Sequence, residues 1–449
     1  MRVFLRYMLV LLMLSMGTGL SAQTKTWKEM HKVKKKETIY GIAKEYGITE
    51  EELRKANPEM NVPDYKLKKG DYIFIPYPEV KKPVQTVRPK PAVDYSDVRN
   101  RAIRVGVMLP LHDVDGDGRR MVEYYRGILM ACEELKKDGI SIDIHAWNVN
   151  IDADISQTLA EKGADKLDII FGPLYTKQMD ALSQFVKANQ IKLVVPFSIN
   201  GNHVEKNENI YQVYQTPEAL NEDAINAFLS RFQNYHVVII DCNDRTSNKG
   251  MFTFGLRKQL DEKGIKYNIT NLNSSDEAFA KSFALDKPNM VILNTGRSPE
   301  LTATFAKLDV LTSSNSGVKV SLFGYNEWLM YEYAHAQRYH KYDTYVPTYY
   351  YYNTLSGKTQ DFETRYRNNF GASMMNAIPR FGITGYDHAM FFLKGLHKQG
   401  KNFTGEVSDK TALQTQLRFM KTGKSGGMQN RQFMLVHYNR NKSISTIVY

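Results

Sequence analysis

Short apolar runs recur along this chain, separated by stretches in which apolar residues return every three to four positions. The runs at 103–109, 142–147, 169–171 and 193–195 read as strands, and the amphipathic stretches 122–137, 155–162 and 176–188 read as helices. After 211–215 and the Thr216-Pro217 break the alternation restarts with 220–232, 237–240, 252–262, 267–270, 277–283, 290–293 and 318–323. Strands alternating with helices predict parallel sheets covered on both faces, hence an α/β region with two doubly wound lobes. The rest supplies a strand at 345–352, helices at 360–369 and 386–397, and a closing hairpin from 433–437 and 443–448. These complete the sheets rather than build a third domain.

The first hundred residues follow other patterns. Arg2 and Arg6 precede an apolar run, 7–16, and small residues ending Leu20-Ser21-Ala22-Gln23, which predicts a secretory signal peptide cleaved near Ala22. No cysteine lies near that site, which excludes a lipid-anchored variant, and no later run reaches membrane-spanning length. A strand at 31–34, a helix at 38–46 closed by Gly47, a helix at 49–55 and a strand at 72–75 predict a small β-α-α-β domain. Thr49 and Glu52 have capping-box spacing. Pro83, Pro89 and Pro91 stand among many Lys and Arg, so this segment reads as a semi-extended spacer. The expected order is signal peptide 1–22, small domain 31–77, linker 78–102 and two-lobed domain 103–449. One lobe comprises 103–215 and 345–430, the other 216–344 and 431–449.

The formal charge of +12 favours an anionic polymer as partner, and outside the cell nucleic acid is not expected. Cys132 and Cys242 fall in different lobes and read as small apolar residues rather than a disulfide.

In the small domain, HKVKKKETIYGIAKEYG, ELRKANP and LKKGDYIFIP, at their spacings, resemble the LysM module over its full length. The resemblance implies binding of N-acetylglucosamine-containing glycan, chiefly peptidoglycan, in a shallow groove. Its edges would be Glu37, Thr38, Ile39 and Tyr40 on one side and Ala56, Asn57, Pro58 and Glu59 on the other. Lys36-Glu37 stands where family members usually have Gly-Asp.

From Ile103 onward, IRVGVMLPL, IIFGPLYTKQMDALSQF, VVPFSIN and FETRYRNNFGASMMNAIPRFGITGYDHAMFFLKGL resemble the type I periplasmic binding protein fold, leucine-binding branch. That resemblance implies a ligand crevice between hinged lobes, with hinge strands near 214–217, 323–327 and 345–347. It places Thr176 and Ser198 where relatives hold a ligand carboxylate, with Tyr175 and Phe197 as walls. Glu327 falls where an acid would meet a ligand ammonium. Relatives usually carry Tyr-Gly after the strand at 237–241, whereas this chain has Cys242-Asn243-Asp244-Arg245-Thr246-Ser247.

Other motifs carry less. Asp113–118 begins like a calcium loop, but Tyr124 stands where a bidentate Glu is required, so a surface Asp-Gly turn is expected. Gly423-Lys424-Ser425-Gly426-Gly427 follows a helix-period segment and precedes a strand, the reverse of a nucleophile elbow, and is expected to be a hairpin approach loop. The run 349–352 is expected to alternate between the core and one exposed aromatic strip. No metal-ligand spacing, cofactor motif or catalytic set stands out. The expectation is an exported, periplasmic, wall-associated, non-enzymatic protein. Its two-lobed domain acts as a cell-envelope regulator with a protein partner or, alternatively, as a receptor for an amino acid, peptide or wall fragment. A wall-acting enzyme is the minor alternative.

Overall fold

The computed structural model describes residues 28–62, 65–77, 97–198, 201–408 and 411–449. The expected signal peptide and most of the linker lie outside the described residues. The chain divides into two compact units, 1–89 and 90–449.

In the first unit, β1 (Glu29–Lys32) pairs antiparallel with β2 (Tyr72–Ile75). Helices α1 (Ile39–Tyr46) and α2 (Glu50–Ala56) pack over one face on a core of Val33, Ile42, Leu53, Met60, Ile73 and Ile75. Both helices are capped locally. The Thr38 hydroxyl accepts the Gly41 amide at 3.0 Å, and Thr49 and Glu52 form the reciprocal capping box. Caps of this kind are worth about 1 kcal/mol each. β1 begins two residues before the expected strand. The Lys34 amide donates to the Glu37 carboxylate at 2.7 Å and Lys36 adopts φ 71°, so this turn ends the strand early.

The second unit contains two sheets. Its elements begin with β3 (Ile103–Leu109), α3 (Gly116–Lys137), β4 (Ile142–Asn148), α4 (Ile155–Leu159) and β5 (Ile169–Phe171). Next come α5 (Met179–Asn189), β6 (Lys192–Val195), α6 (His203–Lys206), β7 (Ile210–Gln212), α7 (Pro217–Arg231) and β8 (His236–Asp241). Then α8 (Gly250–Glu262), β9 (Tyr267–Asn271), α9 (Asp276–Ala280), β10 (Asn289–Leu293), α10 (Ser298–Ser314) and β11 (Val320–Phe323) follow. The chain closes with α11 (Glu332–Lys341), β12 (Thr344–Thr348), α12 (Gly357–Phe370), α13 (Phe381–Gln399), β13 (Phe419–Lys421), β14 (Met428–Asn430), β15 (Met434–Tyr438) and β16 (Ile444–Val448).

The first sheet has the order β13-β14-β7-β6-β5-β3-β4 and the second β16-β15-β12-β11-β10-β8-β9. Both are parallel except for β13, β15 and β16, which run antiparallel to their neighbours. Their central strands β5, β10, β11 and β12 are wholly buried, as two-sided cover requires, whereas the edge strands β9 and β16 are largely exposed.

Four features depart from the sequence expectation. β12 belongs to the second sheet, so the return to the first lobe follows Thr348 rather than starting at 345. The lobes are therefore joined after β7, after β12 and between β14 and β15. The expected hinge strands at 323–327 and 345–347 instead lie inside the second lobe. At the crossings, the Gln215 amide donates to the Gln432 carbonyl at 2.6 Å and Asn430 to the Val213 carbonyl at 3.2 Å.

The tyrosine run also differs. Tyr349, Tyr350 and Tyr351 are all buried, because the strand ends before them, period-two alternation stops, and both sides of the crossing are covered. The ring of the half-buried Tyr352 lies 4.8 Å from the Arg380 guanidinium.

Finally, α3 starts at Gly116, six residues before the expected helix. Asp115 accepts the Gly118 amide at 2.8 Å, and this cap converts the Asp-Gly segment from a turn into a first helical turn. α10, absent from the expected elements, buries Leu301, Phe305 and Leu308.

The crossing of α3 and α13 organises the first lobe. A Cβ on Gly127 would stand 1.8 Å from the Gly382 carbonyl oxygen, so only glycine permits this approach. Buried Glu123 of α3 accepts the Met375 amide at 2.5 Å and the Gly382 amide at 3.2 Å. Asp387 of α13 accepts the amides of Leu413, Gln414 and Thr415, each at 2.8 Å.

Candidate functional site

The expected glycan groove lies at the entry to α1 and the exit from α2. Glu37 accepts the His31 ring at 2.8 Å. Burial acts to raise its pKa, but the His31 ring and the Lys34 amide outweigh that and hold it below the ordinary carboxylate value. Thr38 is occupied as the cap, Ile39 packs on the core, and Tyr40 is 63 % exposed. Asn57 is fully buried. Its amide donates to the carbonyls of Leu53 at 2.7 Å and Phe74 at 2.8 Å, and its oxygen accepts the Phe74 amide at 2.6 Å. The Asn57 side chain thus ties α2 to β2 rather than facing a groove. Pro58, half-buried, opens the following single turn. At this edge the Tyr40 ring is turned to solvent.

In the two-lobed unit, the loops after β3, β5 and β6 lie at the carboxyl edge of the first sheet, where open α/β folds receive ligands. The sequence-expected pair meets there: Thr176 Oγ1 is 3.3 Å from Ser198 Oγ. Tyr175 donates to Asp117 at 3.3 Å, and burial, with Asp117 and Asp115 nearby, pushes its phenol up to about 12. Asp117 also pairs with Arg120. Phe197 is half-buried against Tyr124, with ring centroids 5.2 Å apart, and Phe381, at 5.5 Å. Behind it, the Tyr124 hydroxyl meets Nδ1 of buried His388 at 2.9 Å. Burial lowers the His388 pKa to about 3, so that ring is neutral.

The corresponding loops of the second lobe are bonded among themselves. Asp244 is 2 % exposed at its side chain and accepts the hydroxyls of Thr246 at 2.6 Å and Thr295 at 2.7 Å. These hydroxyls, with Arg297 nearby, hold its carboxyl down to about 2. Asn294 donates to Asp241 at 2.8 Å and accepts the Cys242 amide at 2.9 Å. Glu327 pairs with Lys249 at 2.5 Å. Sequence reading missed this partner because the two residues lie in loops far apart in the chain, and no local spacing links them.

A family model described as "Periplasmic binding protein" matches residues 102–432. The chain belongs to the periplasmic binding protein family. Residues 31–76 match the LysM domain. A putative branched-chain amino acid ABC transporter from Rhodospirillum rubrum has the same fold, with 13 % identity and a TM-score of 0.54 over 77 % of this chain and 100 % of that one. A branched-chain amino acid ABC transporter periplasmic ligand-binding protein from Burkholderia xenovorans LB400 aligns with 13 % identity and a TM-score of 0.47, over 77 % and 94 % of the respective chains. No curated protein matches.

In this periplasmic binding protein, a further cavity lies away from the crevice. It has a volume of about 740 Å³ and is lined by α12, α13 and residues 411–417, including Arg365, Tyr386 and Lys394. None of the sequence-expected site residues reaches it. Both cysteines are free, in separate lobes, and burial raises each thiol to about 12, which leaves them protonated. Among the described residues, no group of His, Cys, Asp and Glu is placed to hold a metal, and no helix is long and apolar enough to cross a membrane.

Proposed function

We infer that this chain is an exported, periplasmic binding protein, held on peptidoglycan by its LysM domain, whose two-lobed domain receives a small ligand in the crevice. The Thr176–Ser198 hydroxyl pair carries this reading, since two loops from adjacent strands bring unlike sequence positions to one point. A ligand seated there shifts the lobes toward closure only by its differential affinity for the closed form, without chemistry. The name of the structural relative from Rhodospirillum rubrum, a putative branched-chain amino acid ABC transporter, agrees with that class of role.

The test is a thermal-shift screen of amino acids, acylated amino acids, peptides and muropeptides. A rise is expected for at least one class, and Thr176→Ala with Ser198→Ala abolishes it. A second reading, a regulator that contacts an envelope protein, is favoured by the closed polar network of the second lobe. Silence across the screen together with crosslinking to one envelope protein supports that reading instead. Retention on purified sacculi, lost on deletion of 31–76, tests the anchor. Release of soluble products from the sacculi would overturn the non-enzymatic assignment.

A further inference from the structure

The cavity beside α13 is built as a site of its own, apart from the crevice. Its walls come from α12, α13 and the segment 411–417, and its volume of about 740 Å³ lies within the usual range for small-molecule sites, about 300–1,000 Å³. Contacts behind the lining hold those walls in place. Asp387, buried, fixes the segment through the amides of Leu413, Gln414 and Thr415. The Gln414 side-chain oxygen accepts the Arg380 amide at 2.9 Å, and its NH₂ group donates to the Thr384 hydroxyl at 2.9 Å. On the other flank Arg365 of α12 donates to Glu134 of α3 at 3.0 Å, and the Phe362 ring of α12 meets Tyr386 of α13 with centroids 5.0 Å apart. The space is therefore preformed rather than a gap that side chains close.

The floor is apolar and the mouth is charged. Met390, Phe391 and Leu417 are buried yet line the cavity, so an apolar chain lying there leaves water without displacing a polar partner. At the mouth Glu134 and Arg365 neutralise each other, and Asp387 is satisfied by the three amides. The remaining charges of the lining are Lys358 and Asp361 on α12 and Lys394 on α13. Lys394 reaches Asp138 at 3.9 Å with both side chains well exposed, a pair that contributes little in water. Two ammonium groups on two helices against one carboxylate favour an anion.

We propose that this cavity binds an amphiphilic anion, with an apolar chain along Met390, Phe391 and Leu417 and a carboxylate or phosphate head at Lys358 and Lys394. It is a ligand site on the first lobe, independent of the crevice and of what the crevice holds.

The experiment is calorimetric titration of the full mature chain with octanoate, decanoate, decyl phosphate, 1-decanol and decyltrimethylammonium, all below micellar concentration. The anions are expected to bind, the tighter of decanoate and decyl phosphate naming the head group. Affinity should rise about three- to fourfold per methylene between octanoate and decanoate. Lys358→Met with Lys394→Met is expected to weaken the anions about three- to tenfold and to erase their advantage over 1-decanol. Ala412→Trp, which puts an indole into the cavity, is expected to abolish binding. Thermal unfolding checks that both variants fold, and if A412W does not, the lysine pair decides. Equal affinity for anion, alcohol and ammonium overturns the anion assignment, as does unchanged anion affinity in the lysine variant. Silence of wild type overturns the inference, and so does binding that is kept in A412W but lost in Thr176→Ala with Ser198→Ala, because it places the anion in the crevice.

Discussion

Gly385 of α13 lies against the main chain of Tyr124 of α3 so closely that a methyl group there would stand 1.9 Å from the Tyr124 carbonyl oxygen. The same helix pair carries Tyr124 and His388 behind the crevice wall at Phe197, so this approach positions the wall as well as the core. Gly385→Ala is therefore expected to force the helices apart and lower stability by about 1–3 kcal/mol, the usual cost of overpacking. Gly250→Ala, where nothing lies within 4 Å, serves as the neutral control. Urea denaturation of both variants measures the difference.

Asp387 gathers three consecutive amides, from Leu413, Gln414 and Thr415. Bonds to a charged acceptor are worth about 1.5–3 kcal/mol each. Asn would present an NH₂ group to at least one of these donors. Asp387→Asn is expected to destabilise by about 3 kcal/mol and to speed hydrogen exchange at residues 413–415. Unchanged exchange there would show that the segment is held by other contacts.

In the LysM domain, stability and binding separate by residue. Asn57→Ala removes the three hydrogen bonds that its side chain makes to the Leu53 and Phe74 main chain inside the core, a loss of about 0.5–1.5 kcal/mol per bond. It should open this domain to proteolysis. Tyr40→Ala removes an exposed ring and should reduce retention on sacculi with no change in proteolysis. Equal retention of Y40A and wild type would remove Tyr40 from the glycan surface.

Lys192 gives a pH signature. Its ammonium donates to the Phe403 carbonyl at 2.9 Å and the Tyr211 hydroxyl at 3.2 Å, and burial lowers its pKa from 10.5 to about 8. Between these values the unfolded chain holds the proton more often than the native one, so this group's contribution to stability rises with pH there, by at most about 1.4 kcal/mol per unit. Below pH 8 the penalty of a buried charge is present in full. The stability difference, wild type minus Lys192→Met, is expected to increase from pH 8 to 10 and to be flat from pH 6 to 7. Thermal unfolding across that range checks it, and a flat difference throughout refutes it.

Much of the architecture follows from local pattern. β2, β3 and β5 coincide with the expected apolar runs, because a strand buried on both faces leaves no alternative pattern for its residues. The LysM helices are equally legible, since Thr38, Gly47 and the Thr49–Glu52 box act within a few residues of one another. The Thr176–Ser198 contact has a related cause: the loops after β5 and β6, neighbouring parallel strands, emerge side by side.

What the sequence determined by itself, then, is the alternation of elements, the LysM caps and the carboxyl-edge loops, all consequences of interactions between near neighbours. Tertiary structure decided the rest. That Asn57 faces inward, that 349–351 is buried, that β12 joins the second sheet and that Lys249 reaches Glu327 all depend on partners remote in sequence. The physical reason is that burial and ion pairing are set by which surfaces meet across sheets and lobes, and a residue's own neighbours in the chain do not encode that meeting.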